Sequence, residues 1–307
     1  MNKTLIGLIA IVVIGAGALY GAQYRTRIVS DAAIYCSSNG ILTDTQPIQS
    51  HRSYCIKSNI VSLNPQPNSP VTLSFSIVDD QGTTLKDFKV THDKLLHLIL
   101  IRKDLNSFQH VHPDFDTSTG QFTLSDLSFP SPGPYRIFAD FTPSSAQMGA
   151  GGMPLSVTLS EDVTVSGTYA AQSVGATERT KTVDGYEVVL TPTPQTAVTG
   201  KTMMSYTIKK DGKLITNLET YLTALGHSVV LKEDTLEYIH AHAIQEPTST
   251  QTGTIDFHVE FPFGGTYKTF TQFKHEGKVH TVEFVVPVTG NAAPTVSKMD
   301  LSTHSSE

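Results

Sequence analysis

The sequence predicts an all-β protein built from two tandem immunoglobulin-like or cupredoxin-like β-sandwiches that follow an N-terminal transmembrane helix. A length of 307 residues suits two domains of ordinary size. Short apolar or alternating runs such as 71–78 and 121–127 are bounded by Gly, Pro and Asp, which is typical of strands. A pattern of residues also recurs after about 130 positions, which indicates two copies of one fold.

The first 24 residues predict a membrane segment. The run from Thr4 to Tyr24 carries no charge, and it has the ~20 residues that a helix needs to cross a bilayer. The small residues at Ala16, Gly17 and Ala18 also fit a signal-peptide cleavage site. Both interpretations export the remaining chain. We expect an uncleaved single-pass anchor in the cell membrane, with the bulk of the protein extracytoplasmic.

The two cysteines of the chain, Cys36 and Cys55, lie in a turn-rich linker segment at 25–59. In an oxidising compartment such a close pair predicts a disulfide. Two alternatives stay open, namely two unpaired thiols and a soft metal site that adds His51.

Two aligned halves define the domain organisation. The pattern H-x6-D-x3-[FY]-x-H-x-H occurs in both halves, and so does F-P-x-x-G-x-Y-[RK]-x-F-x-x-F. We place the first domain at 60–167, a flexible Ser- and Gly-rich linker at 168–179, the second domain at 180–289, and a flexible tail at 290–307.

The repeated histidines predict one metal site in each domain. If the turn after the His97 strand is symmetric about Asp104 and Leu105, His97 lies opposite His112. His110 shares their face because side chains alternate along a strand. The same construction in the second domain gathers His227, His240 and His242.

The loop that follows the next hairpin is expected at the same end of each sandwich. In the first domain it carries Met148 and Met153, and in the second domain it carries His275 and leads to His280. These four residues complete the predicted ligand sets, with His92 as a weaker candidate. Thioethers suit Cu(I) and imidazoles accommodate Cu(II), so the sequence predicts that the two domains prefer different oxidation states.

Three classes of function compete for this pattern. A formal charge of −6 gives no basic field for nucleic acid, which we exclude as a partner. A transition-metal-binding protein explains the repeated histidines, with copper as the expected metal and zinc as the alternative. A zinc-dependent hydrolase or hydratase with a three-His site is the second class, although no general base recurs and no catalytic motif is present, so we expect no enzyme. A structural, adhesion-like sandwich leaves the histidines unexplained.

The motifs L-H-x6-D-x3-F-x-H-x-H-P and F-P-x-x-G-x-Y-R-x-F resemble bacterial extracytoplasmic copper-handling sandwiches, broadly the FixH/YtkA-like and CopC-like proteins, over roughly residues 70–288. The resemblance implies copper storage, delivery or resistance at the cell envelope, with a copper transporter or an oxidase-assembly protein as partner. The chain departs from the CopC pattern because it lacks a histidine at the expected mature amino terminus.

Overall fold

A computed structural model describes residues 54–60, 64–79, 81–146 and 156–291. The regular elements of these residues are all strands, which confirms the all-β prediction. No helix within these ranges is long and apolar enough to span a membrane. The predicted membrane segment at 1–24 and the residues Cys36, Met148 and Met153 lie outside the described ranges. The anchor, the disulfide and the thioether ligands therefore stay predictions.

The first domain is a sandwich of two antiparallel sheets. Its strands are β1 (Tyr54–Ser58), β2 (Val71–Asp79), β3 (Phe88–Lys89), β4 (Leu96–Arg102), β5 (Phe108–Val111), β6 (Asp114–Asp116), β7 (Gln121–Leu127), β8 (Gly133–Pro143) and β9 (Val157–Val165). One sheet has the order β1-β2-β7-β6, and the other has the order β3-β8-β4-β5 with β9 also paired to β8. Alternate residues of β2, among them Leu73, Phe75 and Ile77, fill the core between the two sheets.

The second domain repeats this architecture. Its strands are β10 (Thr180–Val183), β11 (Tyr186–Thr193), β12 (Ala197–Val198), β13 (Gly200–Lys210), β14 (Lys213–Leu214), β15 (Gly226–Lys232), β16 (Tyr238–His242), β17 (Thr254–Phe261), β18 (Gly265–His275) and β19 (Lys278–Thr289). One sheet has the order β10-β11-β13-β14 with β17 on β13, and the other has the order β12-β19-β18-β15-β16. Tyr206, Phe257 and Phe284 are fully buried between them.

The central strands β4 and β15 are buried on both faces. Leu98 and Leu100 of β4 point into the core of the first domain. Their neighbours Ile99 and Ile101 point the other way, into a separate apolar cluster that the two domains share. We call this the interdomain cluster, and its buried members are Ile99, Ile101, Leu105, Phe138, Val229, Leu231, Leu236, Tyr238 and Phe270. The histidine-bearing sheets of the two domains therefore pack face to face.

Two aromatic stacks show that this interface is nearly symmetric. Phe108 stacks on Phe270 with ring centroids 4.4 Å apart, and Tyr238 stacks on Phe138 at 5.0 Å. Phe108 and Tyr238 are equivalent positions of the repeat, and so are Phe138 and Phe270. Each stack adds about 0.5–1.5 kcal/mol to the burial of its rings. The histidine-bearing sheet of one repeat thus packs against the equivalent sheet of the other repeat.

The linker is held against the first domain, in contrast to the flexible tether that its composition predicts. The Gln172 backbone N–H donates to Asp104 Oδ2 at 2.9 Å. The Asn106 side-chain amide donates to the Ser173 carbonyl at 3.2 Å. The turn between β4 and β5 therefore fixes the path of the chain into the second domain.

Candidate metal centre

Two hairpins gather the repeated histidines on the interdomain faces. In the first, β4 and β5 pair with Leu98 opposite Val111 and Ile99 opposite His110. In the second, β15 and β16 pair with His227 directly opposite His242. The hairpin register predicted from the sequence is therefore confirmed. Because the facing apolar surfaces hold the two sheets together, both sets of histidines meet between the domains.

The first set, which we call triad one, consists of His97, His110 and His112. His97 Nδ1 lies 3.1 Å from His110 Nε2 and 3.1 Å from His112 Nε2. The three ligand atoms all fall within 4.8 Å of one another. His97 is almost fully buried, and the other two are half-buried.

The hydrogen bonds around triad one determine which ring nitrogens carry protons. His97 Nε2 donates to the Thr91 carbonyl oxygen at 3.1 Å, so Nδ1 of the neutral ring is a bare acceptor. His110 Nδ1 donates to Gln272 Oε1 at 2.7 Å, which leaves its Nε2 bare. The Gln272 amide is oriented by its own Nε2, which donates to Thr281 Oγ1. Two lone pairs therefore face each other across 3.1 Å.

The second set, which we call cluster two, consists of His92, His227, His240 and His242. His227 Nδ1 lies 3.4 Å from His240 Nε2. The ligand atoms of His92, His227 and His242 fall within 4.8 Å of one another. His92 belongs to the first domain, and its ring stacks on His242 with centroids 3.6 Å apart. Cluster two is therefore built by both domains.

Cluster two has the same fixed tautomers as triad one. His227 Nε2 donates to the Leu222 carbonyl at 2.9 Å, and His240 Nδ1 donates to Asp140 Oδ2 at 2.8 Å. These bonds leave His227 Nδ1 and His240 Nε2 bare. His242 Nε2 is also buried and has no hydrogen-bond partner among the described residues. A buried polar nitrogen without a hydrogen-bond partner is costly.

The two sets are neighbours. The ring centroids of His97 and His240 are 5.4 Å apart, and those of His97 and His227 are 6.4 Å apart. Each set is also completed from across the interface, since Gln272 of the second domain contacts His110 and Asp140 of the first domain contacts His240. The seven histidines therefore form one interdomain assembly, in place of two sites at separate sandwich ends.

Burial keeps these imidazoles neutral. Desolvation lowers the pKa of His97 to about 4 and the pKa values of His112 and His227 to about 2, with neighbouring histidines adding to each decrease. Desolvation also lowers the pKa values of His240 and His242. Asp140 responds in the opposite direction, because burial raises its carboxyl pKa to about 6. At neutral pH the site offers uncharged imidazole donors beside a buried carboxylate.

His275 and His280 do not join this assembly, which corrects the sequence prediction. The direction of β18 is as predicted, since it returns to the histidine end with Gln272 opposite His227. The predicted face of the sheet is wrong, because side chains alternate along a strand. Both histidines point toward the core of the second domain. His275 Nδ1 contacts the Tyr186 hydroxyl at 2.8 Å, and His280 Nδ1 donates to Asp184 Oδ2 at 2.8 Å.

Asp140 and Gln272 were not predicted from the sequence, and His92 was predicted only as a weak candidate. A signal was present, because Asp140 and Gln272 each precede the last phenylalanine of the repeated aromatic motif and therefore occupy equivalent positions. The uninterrupted apolar run 98–101 was a second signal, since a strand with only one covered face alternates. Together these features indicate a second, covered face that carries polar partners for the histidines.

The fold and the site define a two-domain β-sandwich protein with paired histidine clusters at its domain interface. A family model described as "Domain of unknown function (DUF8832)" matches residues 56–151 and 181–290. The chain belongs to this family. The two matched segments correspond to the two copies of the repeat.

No curated protein matches the sequence. Among solved structures, the chain is similar to fibronectin(III)-like modules of Clostridium thermocellum CbhA, with 10% identity, a TM-score of 0.21, and coverage of 83% of this chain and 100% of that one. It is similar to the Group B Streptococcus pullulanase SAP, with 12% identity and a TM-score of 0.19. The match covers 75% of this chain and 23% of that one. It is also similar to the three N-terminal domains of the bacteriophage RB49 outer capsid protein Hoc, with 10% identity and a TM-score of 0.19. This match covers 79% of this chain and 71% of that one.

Proposed function

We propose that this protein binds transition-metal ions outside the cytoplasm and holds two of them in the histidine assembly between its domains. The metal we propose is copper, with zinc as the alternative, and the role is storage, delivery or resistance. One observation carries the proposal: His97 Nδ1 and His110 Nε2 lie 3.1 Å apart while both of their protons are committed elsewhere.

That arrangement favours a bound cation. In a neutral imidazole only one nitrogen carries a proton, and the protons of His97 and His110 go to a backbone carbonyl and to Gln272. A proton between the rings would create a buried imidazolium, which the lowered pKa of His97 opposes. A metal ion satisfies both lone pairs at once.

The distances suit a first-row transition metal. Two nitrogens that each lie about 2.0–2.1 Å from a tetrahedral ion are separated by roughly 3.3 Å. The pairs in this protein measure 3.1 Å in triad one and 3.4 Å in cluster two. Imidazole ligands suit copper and zinc, and copper binds most tightly in the divalent series. The copper-handling sandwiches that the motifs resemble favour the same metal.

The role of a binder is favoured over that of a zinc hydrolase by the position of the carboxylate. Asp140 is the acidic residue that hydrogen-bonds a histidine of the assembly, and its Oδ2 accepts from His240 Nδ1 and from the Tyr238 hydroxyl. A general base needs a free oxygen near a metal-bound water. Here the carboxylate orients a ligand, which is a common partner role at metal sites.

The cell membrane is the proposed location. The uncharged segment from Thr4 to Tyr24 supports a single-pass anchor with both sandwiches extracytoplasmic. A copper transporter or an oxidase-assembly protein is the partner that the resemblance implies. In cells with a permeabilised outer envelope, externally added protease should remove the sandwiches while the anchor remains with the membrane fraction. Full protection of the chain in cells with a permeabilised outer envelope would contradict this topology.

Metal content tests the proposed activity. The full-length chain, purified in detergent and stripped with a chelator, is dialysed against copper, against zinc and against both, and its metal is measured by elemental analysis. We expect two ions per chain and a preference for copper in the mixture. The variant His258→Ala is the matched control, because His258 is an exposed histidine of β17. A metal content near zero, or equal losses in His258→Ala and the cluster variants, would contradict the proposal.

A further inference from the structure

Asp140 and Gln272 are the main difference between two otherwise similar halves of the assembly. Asp140 lies opposite His97 on β8, and Gln272 lies opposite His227 on β18, so they occupy the same position in the two copies. Each side chain reaches across the interface to the equivalent histidine of the other domain. Asp140 accepts from His240 Nδ1 at 2.8 Å, and Gln272 accepts from His110 Nδ1 at 2.7 Å. The two hydrogen bonds have the same geometry, but Asp140 carries a carboxylate and Gln272 a neutral amide.

From this difference we propose that Asp140 and Gln272 set the charge of the ion that each half prefers, so that cluster two takes Cu(II) and triad one takes Cu(I). This inference rests on the proposed function and names the residues that tune it. Asp140 and Gln272 are positioning residues, since each acts through the histidine that it orients.

The electrostatic reason is the low polarity of the interface. Asp140 is 6% exposed, and its ion-pair partner among the described residues is His240. A carboxylate behind a metal-bound imidazole increases the basicity of that ligand and offsets positive charge on the ion. The interaction is strong where solvent does not screen it. A dication gains more from it than a monocation does, whereas the neutral amide of Gln272 offers no comparable compensation.

The number of imidazole ligands also favours Cu(II) in cluster two and Cu(I) in triad one. Cluster two contains four imidazoles: the ligand atoms of His92, His227 and His242 lie within 4.8 Å of one another, and His240 Nε2 lies 3.4 Å from His227 Nδ1. Divalent copper favours four nitrogen or oxygen ligands. Triad one offers three imidazoles, and a three-coordinate site is well suited to monovalent copper.

The test removes the charge at Asp140 and introduces a charge at Gln272, each in the full-length chain. Each half is measured alone, with His110→Ala and His112→Ala removing triad one, or with His240→Ala and His242→Ala removing cluster two. Cu(I) affinity is measured anaerobically against a chromogenic chelator, and Cu(II) affinity is measured against a competing ligand. In the first background Asp140→Asn should weaken Cu(II) binding about 10–100-fold, as loss of a ligand's orienting partner typically does, and weaken Cu(I) binding much less. In the second background Gln272→Glu should strengthen Cu(II) binding.

Asp184→Asn is the matched control. Asp184 accepts from His280 Nδ1 at the same distance of 2.8 Å, but that pair lies outside the assembly, so both affinities should stay unchanged. If the parent chain binds no copper, the proposed function fails and the inference fails with it. If the parent binds copper but neither single-half background does, the two halves form one inseparable site and the inference alone is overturned. If both bind copper but the ratio of Cu(II) to Cu(I) affinity is unchanged in Asp140→Asn and in Gln272→Glu, the inference alone is overturned. Gln272→Glu keeps the test decisive should Asp140→Asn fail to fold.

Discussion

Triad one and cluster two have the same origin and differ in what surrounds them. Both contain a histidine pair on or directly after the second strand of a hairpin, and in both a nearby backbone carbonyl fixes the ring of His97 or His227. Cluster two adds His92 and a carboxylate, whereas triad one has an amide. Duplication thus preserved the histidines, while their partners across the interface diverged.

The same comparison shows that neither half is complete within its own domain. His110 is oriented by the second domain and His240 by the first. The interface also contains the aromatic stacks of Phe108 with Phe270 and of Phe138 with Tyr238. Packing of the two sheets and assembly of the two histidine sets are therefore one structural event.

The largest expected effect comes from removing ligands from one half or from both. His110→Ala with His112→Ala should reduce the metal content from two ions to one, and so should His240→Ala with His242→Ala, because each pair supplies two of the ligands. The fourfold variant should bind none. Elemental analysis of the full-length chain measures this, with His258→Ala as the control. A drop to zero in either double variant would mean that the halves form one inseparable site.

His92→Ala should weaken copper binding by cluster two and leave triad one unchanged. We expect a loss of roughly tenfold or more in the copper affinity of cluster two, because one of its four imidazoles is removed. Triad one should keep its affinity, since His92 has no hydrogen bond to it among the described residues. Competition with a chelator in each single-half background measures this. Equal losses in both halves would place His92 between them as a shared ligand.

Copper binding should persist to a lower pH than ordinary histidines allow. Burial lowers the pKa of His97 to about 4 and that of His227 to about 2. The metal-free imidazoles are therefore still neutral at about pH 5, where a histidine with its usual pKa of about 6.5 would be protonated. The affinity of triad one should change little from about pH 7 to about pH 5 and then fall as the pH approaches 4. The Cu(II) affinity of cluster two should fall earlier, because burial raises the carboxyl pKa of Asp140 to about 6 and its charge is lost below that pH. A steep decrease in triad one that begins at about 6.5 would show that the free site is open to water.

The smallest expected effect is that of Tyr238→Phe. The Tyr238 hydroxyl donates to Asp140 Oδ2 at 3.3 Å, and such a long bond contributes about 1 kcal/mol or less. We expect a change of a few-fold at most in the Cu(II) affinity of cluster two, with no change in triad one. Titration in the two single-half backgrounds measures it. A loss as large as that of Asp140→Asn would make the hydroxyl an essential partner of the carboxylate.

Much of this arrangement follows from local rules, and the rest depends on tertiary packing. The position of His227 opposite His242 follows from a symmetric turn, which the spacing alone predicts. The error for His275 and His280 arose because strand direction was considered and side-chain parity was not. The contacts of Asp140 and Gln272 join residues about 100 or more positions apart in two domains, and no local pattern specifies which copy of a repeat a side chain will reach.

Electron paramagnetic resonance shows whether one interface holds two metal ions, using the full-length chain brought to two Cu(II) ions per chain without reductant. Triad one still binds Cu(II) under these conditions, because its preference for Cu(I) is a difference in affinity and no Cu(I) is present. Ring centroids of the two halves come as close as 5.4 Å, and each ion lies about 2 Å beyond a ring nitrogen, so two ions are no more than about 12 Å apart. We predict a dipole-broadened spectrum with a half-field transition, which becomes the sharp spectrum of an isolated ion in either double-histidine variant. A sharp, isolated signal from the fully loaded parent, unchanged in the variants, would contradict the account.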